Sequence, residues 1–322
     1  MHDIVIIGAG PLGLACGIAA KRAGLSHLIL EKGALVHSFV GYPTDLEFFS
    51  TPELLEIGGI PFTTRHYKPV RAEALEYYRH VARVEDLRIR LYERVLEIGG
   101  EVGGFRIQTG KGLYHSRHVV IATGFFDCPN PLDVRGSDLS KVIHYYKEPF
   151  AYAQQKVAVI GAKNSAAKAA LDLYRHGAEV SLVIRGAEIS DKVKYWIKPD
   201  LENRIQEGAI QAYYHSTVQE ITERHLALQT PAGEVVLEND WVFAMTGYRP
   251  DFEMLRQFGL AFEPDVWQTP IHNRATMESN RAGVYLAGVV CGGLRTNVWF
   301  IENSRIHADM IVTDILQKSS LA

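Results

Sequence analysis

Three glycines and one acid carry the strongest chemical signal in the sequence. Gly8, Gly10 and Gly13 follow directly on the apolar residues 4–7, and Glu31 stands 18 residues beyond the last glycine. Glycine lets a backbone turn tightly and approach a pyrophosphate closely, a following helix N-terminus favours the negative charge, and an acid at the next strand end accepts from ribose hydroxyls. Pro11 and Leu12 lie within the turn and Lys32 follows the acid. The same carboxylate disfavours a 2′-phosphate, so this turn suits FAD or NAD and excludes NADP.

A second turn has the same grammar with altered chemistry. Gly161 is followed by Ala162, Lys163, Asn164, Ser165 and Ala166, and the strand after its helix ends in Arg185 where the first unit has Glu31. A serine hydroxyl, backbone amides and the helix N-terminus would hold phosphates here, and Arg185 with Lys163 would pair with a 2′-phosphate. Lys192, Lys194 and Lys198 add positive charge nearby.

The elements that must position these residues are readable on both sides. Residues 3–32 and 156–186 each run as an apolar stretch, a turn, an alanine-rich helix, a glycine (Gly24, Gly177) and a second apolar stretch, the pattern of a βαβ unit. Residues 87–124 alternate between glycine turns and end in a buried run at Ala122, Thr123 and Gly124, and a later run ends at Gly247 and Tyr248. Both bring a small-residue turn to the end of a buried strand, where backbone can pass close to a cofactor. Near the C-terminus, residues 283–289 read as a strand ending at Ala287, Gly288 and Val289, followed by a helix over 300–316. The expected fold is α/β, with two Rossmann-like domains of three-layer ββα type: one dinucleotide-binding domain from 1–124 and 245–322, and a second, 125–244, inserted into it.

Composition narrows the function classes. In 322 residues, 34 Lys and Arg stand against 37 Asp and Glu, a net charge of -3, so no bulk attraction to nucleic acid or an anionic membrane is expected. Three scattered cysteines give neither a disulfide framework nor a zinc spacing, the 13 histidines show no metal-ligand pattern, and no metal is expected. No signal peptide or spanning segment is evident, and a reducing cytoplasm is the expected location.

The ordered series GAGPLG, Glu31, two T-G turns, GAKNSA, Arg185 and GVYLAG resembles the two-dinucleotide-binding flavoproteins, which include thioredoxin reductases and flavin monooxygenases. More closely, FFSTPELLEIGGIPF (48–62), GAKNSAAKAALDLYR (161–175) and AGVVCGGLRTNVWFIENSR (287–305) are similar to the YpdA-type bacillithiol disulfide reductases. The resemblance implies hydride transfer from NADPH to FAD and on to a low-molecular-weight disulfide, with homo-oligomerisation as the habit of the group. It adds Val95 and Val289 to the cofactor contacts. A ferredoxin-type NADP reductase, a flavin monooxygenase and a nucleotide-dependent sensor without turnover are the alternatives.

The thiols depart from the pattern. No C-x-x-C pair exists, which argues against thioredoxin reductase chemistry, and Leu12 occupies the glycine-motif position where many YpdA-type proteins carry cysteine. Cys16 is four residues further along the same helix, about 6 Å deeper, and as a small hydrophobe it is expected in the core. Cys291 follows the Ala287-Gly288 turn, where core packing is the first expectation and a relay thiolate, its pKa lowered by a helix N-terminus, is the alternative. Cys16 and Cys291 are thus the candidate catalytic residues, and Cys128, in a proline-rich loop, is expected to be exposed. Glu302, Asn303 and Arg305 stand equally as structural contacts and as flavin or substrate contacts.

Overall fold

The computed structural model describes residues 1–320, and the chain divides into two compact units. Unit 1 comprises Met1–Gly41, Asp45–Cys128 and Tyr248–Ala322, and unit 2 comprises Tyr42–Thr44 and Pro129–Gly247.

Unit 1 is built on β1 (His2–Ile7), the helix α1 (Pro11–Arg22), β2 (His27–Leu30), β3 (Ile89–Arg90), β4 (Val95–Gly99), β5 (Phe105–Thr109) and β6 (Leu113–Ile121). The sheet order is β3-β2-β1-β6-β5-β4, with the strand Val284–Leu286 pairing in parallel with β6. β1 pairs in parallel with both β2 and β6, whereas β4, β5 and β6 form an antiparallel meander. The strands nearest the middle are apolar on both faces because helices and loops cover them: Val5, Ile6, Ile29, Val119 and Ile121 are all inaccessible to solvent. The chain leaves β1 for β2 on one side, and β6 lies on the other. Such a reversal opens a crevice at the carboxyl ends of β1 and β6, where open α/β sheets bind their ligands.

Unit 2 repeats the design. Its parallel sheet runs Ile210–Tyr213, Glu179–Val183, Lys156–Ile160, Trp241–Ala244, Val142–Ile143 in spatial order. The helix Asn164–Arg175 packs its alanine face (Ala166, Ala167, Ala169, Ala170) against that sheet. Alanine at these positions lets helix and sheet come close. A separate antiparallel sheet, Thr217–Ile221, His225–Thr230 and Gly233–Glu238, buries Leu226 and Leu228.

The C-terminal tail is two helices rather than the single one expected over 300–316. Ile301–Ser304 and His307–Ser320 are separated at Arg305, whose guanidinium donates to the carbonyls of Glu53 (3.0 Å) and Glu56 (2.8 Å).

Candidate dinucleotide sites

In unit 1 the first glycine turn passes directly over the end of β6. Gly8 has φ +106°, and a Cβ there would lie 2.5 Å from the Ala122 carbonyl oxygen. The Ala122 amide itself donates to the Ile7 carbonyl at 2.8 Å, which locks the two strand ends together. Gly13 faces back onto the turn: a Cβ on it would come within 1.8 Å of the Gly8 carbonyl oxygen. Gly10 N-caps α1, Pro11 begins it, and its first turn carries no acid. The positive end of a 12-residue helix is therefore left open to an anion.

Glu31 follows β2 and is nearly buried, and its two oxygens accept the amides of Ala9 and Gly33, each at 2.8 Å. The carboxylate thus braces the glycine turn. Each oxygen keeps a second lone pair that a ribose hydroxyl can use. Lys32 pairs with Asp127 at 2.8 Å.

Whether these residues fit a dinucleotide is tested by what they leave unused. The Thr123 hydroxyl oxygen is buried and has no hydrogen-bond partner, and open space lies where Cβ atoms of Gly10 and Gly124 would be. A buried orphan hydroxyl beside vacant volume and an unopposed helix N-terminus fits a phosphate-bearing ligand. Val95 is buried in β4 opposite Thr109, so only its backbone can face a ligand.

The turn after the last strand of this sheet is tied from behind. Gly288 donates its amide to Nδ1 of His307 at 3.2 Å, and Leu12 packs under Gly288, its Cγ 2.9 Å from where a Cβ would be. Val289 is partly exposed. The buried His307 ring meets Trp299 edge-on at 4.7 Å, and desolvation pushes its pKa down to about 4. With Nδ1 accepting, the ring is neutral and carries its proton on Nε2. A single histidine in a helical tail has no sequence signal for this role.

Both candidate relay thiols lie in the core. Cys16 is 2% exposed and Cys291 1%, and burial pushes the Cys16 thiol up to about 12 and raises Cys291 further, with Cys16 itself adding to that rise. Cys291 packs in the core, the first of its two expected placements. The residue sits inside the short turn Gly288–Gly292, enclosed by apolar atoms that disfavour its charge. Cys128 is half-buried rather than exposed, and its pKa is raised, chiefly by burial. Glu302, Asn303 and Arg305 each make a structural contact: Glu302 accepts from the Ser50 hydroxyl, Asn303 caps Phe300, and Arg305 holds the Glu53 and Glu56 carbonyls.

In unit 2 the turn has the same close pass. Gly161 has φ +142°, and a Cβ would lie 2.6 Å from the Met245 carbonyl oxygen. Ala166 occupies the position of Gly13 without conflict. Lys163 N-caps the helix Asn164–Arg175 and is exposed, as are Ser165 and Arg185, and Arg185 has no ion-pair partner among the described residues. An unpaired guanidinium at the end of the second strand fits a phosphate on the ribose. Asn164 is occupied elsewhere, with its amide bonded to the loop at Lys192 and Lys194. Lys198 leaves the basic set, because Asp191 at 2.7 Å neutralises it. Thr246 and Gly247 are tied to Asn130, while Tyr248 stacks near Phe126 at 4.5 Å in unit 1. Among the described residues no cluster of metal-ligating side chains occurs, and no helix is long and apolar enough to cross a membrane.

The family model for pyridine nucleotide-disulphide oxidoreductases matches residues 5–288, and the chain belongs to that family: it is an oxidoreductase of the two-dinucleotide flavoprotein class, with FAD and NADPH as its cofactors. Within the family it is similar to bacilliredoxin reductase Bdr of Bacillus subtilis, 41% identical over 318 residues, 98% of each chain. Among solved structures it is similar to the bacillithiol disulfide reductase Bdr (YpdA) of Staphylococcus aureus, with TM-score 0.95 and 39% identity over 98% of each chain. The enzyme of the same name from Bacillus cereus matches with TM-score 0.96 and 39% identity, covering 98% of this chain and 99% of that one.

Proposed function

We propose that this chain is an NADPH-dependent disulfide reductase acting on a low-molecular-weight disulfide of the bacillithiol type. FAD belongs to unit 1 and NADPH to unit 2. When bound, FAD supplies the two-electron acceptor and NADPH the hydride. The observation that carries the reading is the pair of glycine turns with opposite strand-end charges, Glu31 and Arg185, in a chain that matches Bdr proteins over 98% of its length.

The residues divide the work by charge and position. Gly8, Gly10, Pro11, Leu12 and Gly13 give the pyrophosphate of FAD close backbone and the N-terminus of α1, Glu31 takes the ribose hydroxyls, and Thr123 supplies a hydroxyl from the end of β6. Gly124, Gly288 and Val289 border the same cofactor, and Val95 offers backbone. In unit 2, Gly161, Lys163, Ser165 and Ala166 surround the NADPH phosphates and Arg185 meets the 2′-phosphate. Gly247 and Tyr248 stand where the chain passes back to unit 1.

The burial of Cys16 and Cys291 favours electron transfer to the substrate without a protein thiol in between. A protein disulfide is the second reading, favoured by the B. subtilis relative, whose name assigns it a bacilliredoxin. A reducing cytoplasm suits three free cysteines, and a homo-oligomer is the assembly we propose.

Anaerobic stopped-flow spectroscopy tests the reading. NADPH should bleach the flavin, and bacillithiol disulfide should restore its colour within the turnover time. Restoration only by an oxidised bacilliredoxin would select the second reading, and restoration only by oxygen would reject both.

A further inference from the structure

The antiparallel sheet of unit 2 ends on one side in a strand with a bare outer edge. In the order Thr217–Ile221, His225–Thr230, Gly233–Glu238, the last strand pairs only with the middle one among the described residues. Its register runs without a shift, Leu226 facing Leu237 and Leu228 facing Val235, and the Asn239 amide continues the ladder by donating to the Arg224 carbonyl at 2.9 Å. Bonded pairs alternate along an antiparallel ladder, so Glu234, Val236 and Glu238 turn their own N–H and C=O groups outward.

Two comparable edges are blocked. Thr217–Ile221 carries a bulge between Val218 and Glu220, and its Ile221 amide donates to the Arg135 carbonyl at 2.9 Å. In unit 1 the edge strand β4 has a bulge between Val95 and Glu97, and the Arg281 guanidinium donates to the carbonyls of Ile98 (2.9 Å) and Gly100 (2.7 Å). Bulges and covering groups are how native sheets prevent unwanted pairing. Gly233–Glu238 has neither, and Val236 on it is 58% exposed.

Beside this edge lies a groove of about 450 Å³, lined by Glu179, Ser181, Gln211 and Tyr213 of the parallel sheet and by Val236 and Glu238 of the edge strand. A strand laid along the edge would fill it. Charge decides which kind of strand. The lining carries Glu179 and Glu238 against Lys156, which pairs with Glu238, and Glu234 adds a further negative charge on the same strand. A second copy of this strand, antiparallel and paired over its full length, would set Glu234 against Glu238 at both ends, and directly opposed like charges destabilise a pair. A strand with cations at those two positions is favoured instead.

We infer that the outer edge of Gly233–Glu238 receives an extended segment of a partner protein as a fourth strand, with an aliphatic residue opposite Val236 and basic residues opposite Glu234 and Glu238. Main-chain hydrogen bonds supply the affinity of such an addition, and alternate side chains supply its specificity. The groove lies at the amino end of the parallel strands, where Lys156 and Glu179 begin theirs, and the glycine turn of unit 2 lies at the carboxyl end. Docking at this edge therefore leaves the nucleotide site of unit 2 free.

The peptide acetyl-TKTVTKT-amide, titrated into the purified holoenzyme with calorimetry and hydrogen-exchange mass spectrometry as readouts, tests the inference. It should bind and slow amide exchange in residues 233–238, and added salt should weaken it. Its acidic counterpart, acetyl-TETVTET-amide, should not bind. Val236→Pro removes one outward N–H that the fold leaves unused, so the protein should keep its flavin absorbance and lose the peptide. Glu234→Lys leaves the backbone edge intact and should weaken the peptide about two- to fivefold, the worth of one cross-strand charge pair. If Val236→Pro does not fold, Glu234→Lys decides alone. No binding at millimolar peptide, protection confined to another segment, or unchanged affinity in either folded variant overturns the inference. Protection of 233–238 that rises with protein concentration in the absence of peptide also overturns it and assigns the edge to a second copy.

Discussion

The two glycine turns are the same device built to different tolerances. Both place a left-handed glycine against the carbonyl of a neighbouring strand end, so that a Cβ would lie 2.5 Å from the Ala122 oxygen at Gly8 and 2.6 Å from the Met245 oxygen at Gly161. Three positions before the helix settles onto its sheet they diverge: Gly10 is open where Lys163 is charged. Five positions after the first glycine the difference is steric. A Cβ at Gly13 would meet the Gly8 carbonyl at 1.8 Å, whereas Ala166 carries a Cβ that fits. The first turn is therefore wound more tightly onto its helix, and the second has room for side chains that add charge. A glycine count thus reports packing distance, and the residue at the next strand end reports which phosphate is welcome.

The largest effect that would break this comparison is at its tightest point. Gly13→Ala forces α1 off its own turn, and a loss of about 4 kcal/mol or more is expected. The protein should be poorly soluble or flavin-free by the ratio of absorbance at 450 and 280 nm. Ala166→Gly should cost only about 1 kcal/mol, the helix penalty of glycine. A stable, fully flavinated Gly13→Ala protein would mean the two turns are equivalent after all.

Next comes the acid. Glu31→Gln can satisfy only one of the Ala9 and Gly33 amides that the two carboxylate oxygens now accept, and an orphaned buried amide costs about 1–3 kcal/mol. Thermal denaturation of the apoprotein should register that loss, and fluorescence titration should show weaker FAD binding. A variant with unchanged FAD affinity would reduce Glu31 to a brace for the turn.

Much of this was legible because the relevant physics is local. A glycine turn between a strand and a helix, and the acid or base at the next strand end, lie within some thirty residues, and the chain order of such motifs reflects the sheets. What was not legible depends on distant segments meeting. Asn164 reads as a phosphate contact until Lys192 and Lys194 fold onto its amide, and His307 is one histidine among 13 until the tail brings it under Gly288. Lys198 reads as part of a basic field until Asp191 neutralises it. Cys291 was legible in part: a free cysteine is commonly buried, and it is, but which atoms enclose it depends on segments far away in the chain.

Arg185 sharpens the contrast from the other side. Arg185→Glu turns the second strand end into a copy of the first, so NADPH binding should weaken tenfold or more, on the order of one charge-assisted pair, while NADH is spared. Equal losses for both nucleotides would remove Arg185 from the 2′-phosphate.

A smaller effect follows from the histidine that supports Gly288. His307 is neutral in the fold, with its pKa near 4 against 6.5 unfolded, so between those values the unfolded chain holds more protons. Stability should therefore fall as pH drops from about 6.5 to about 4 and level off below that. His2, His27, His118 and His144, whose pKa values burial also lowers, act with the same sign. His307→Asn keeps an acceptor near the Gly288 amide and loses the titrating ring, so its melting temperature should depend less on pH across that window. An unchanged slope would place the acid sensitivity in groups other than His307.

The smallest effect expected is at the thiols. Cys16→Ala and Cys291→Ala each remove a buried sulfur that packs as a small hydrophobe, which should cost about 1 kcal/mol of stability. Neither should change the rate of disulfide turnover by more than about twofold, because a thiol held mostly protonated is a poor nucleophile. The position where a thiol would meet the glycine turn is Leu12, and it is packed under Gly288. If instead Cys291→Ala left flavin reduction by NADPH intact and slowed reoxidation by the disulfide tenfold, the thiol would have to become exposed during turnover. The turn Gly288–Gly292 would then open in the cycle, and unit 1 would be the more mobile of the two sites despite its tighter winding.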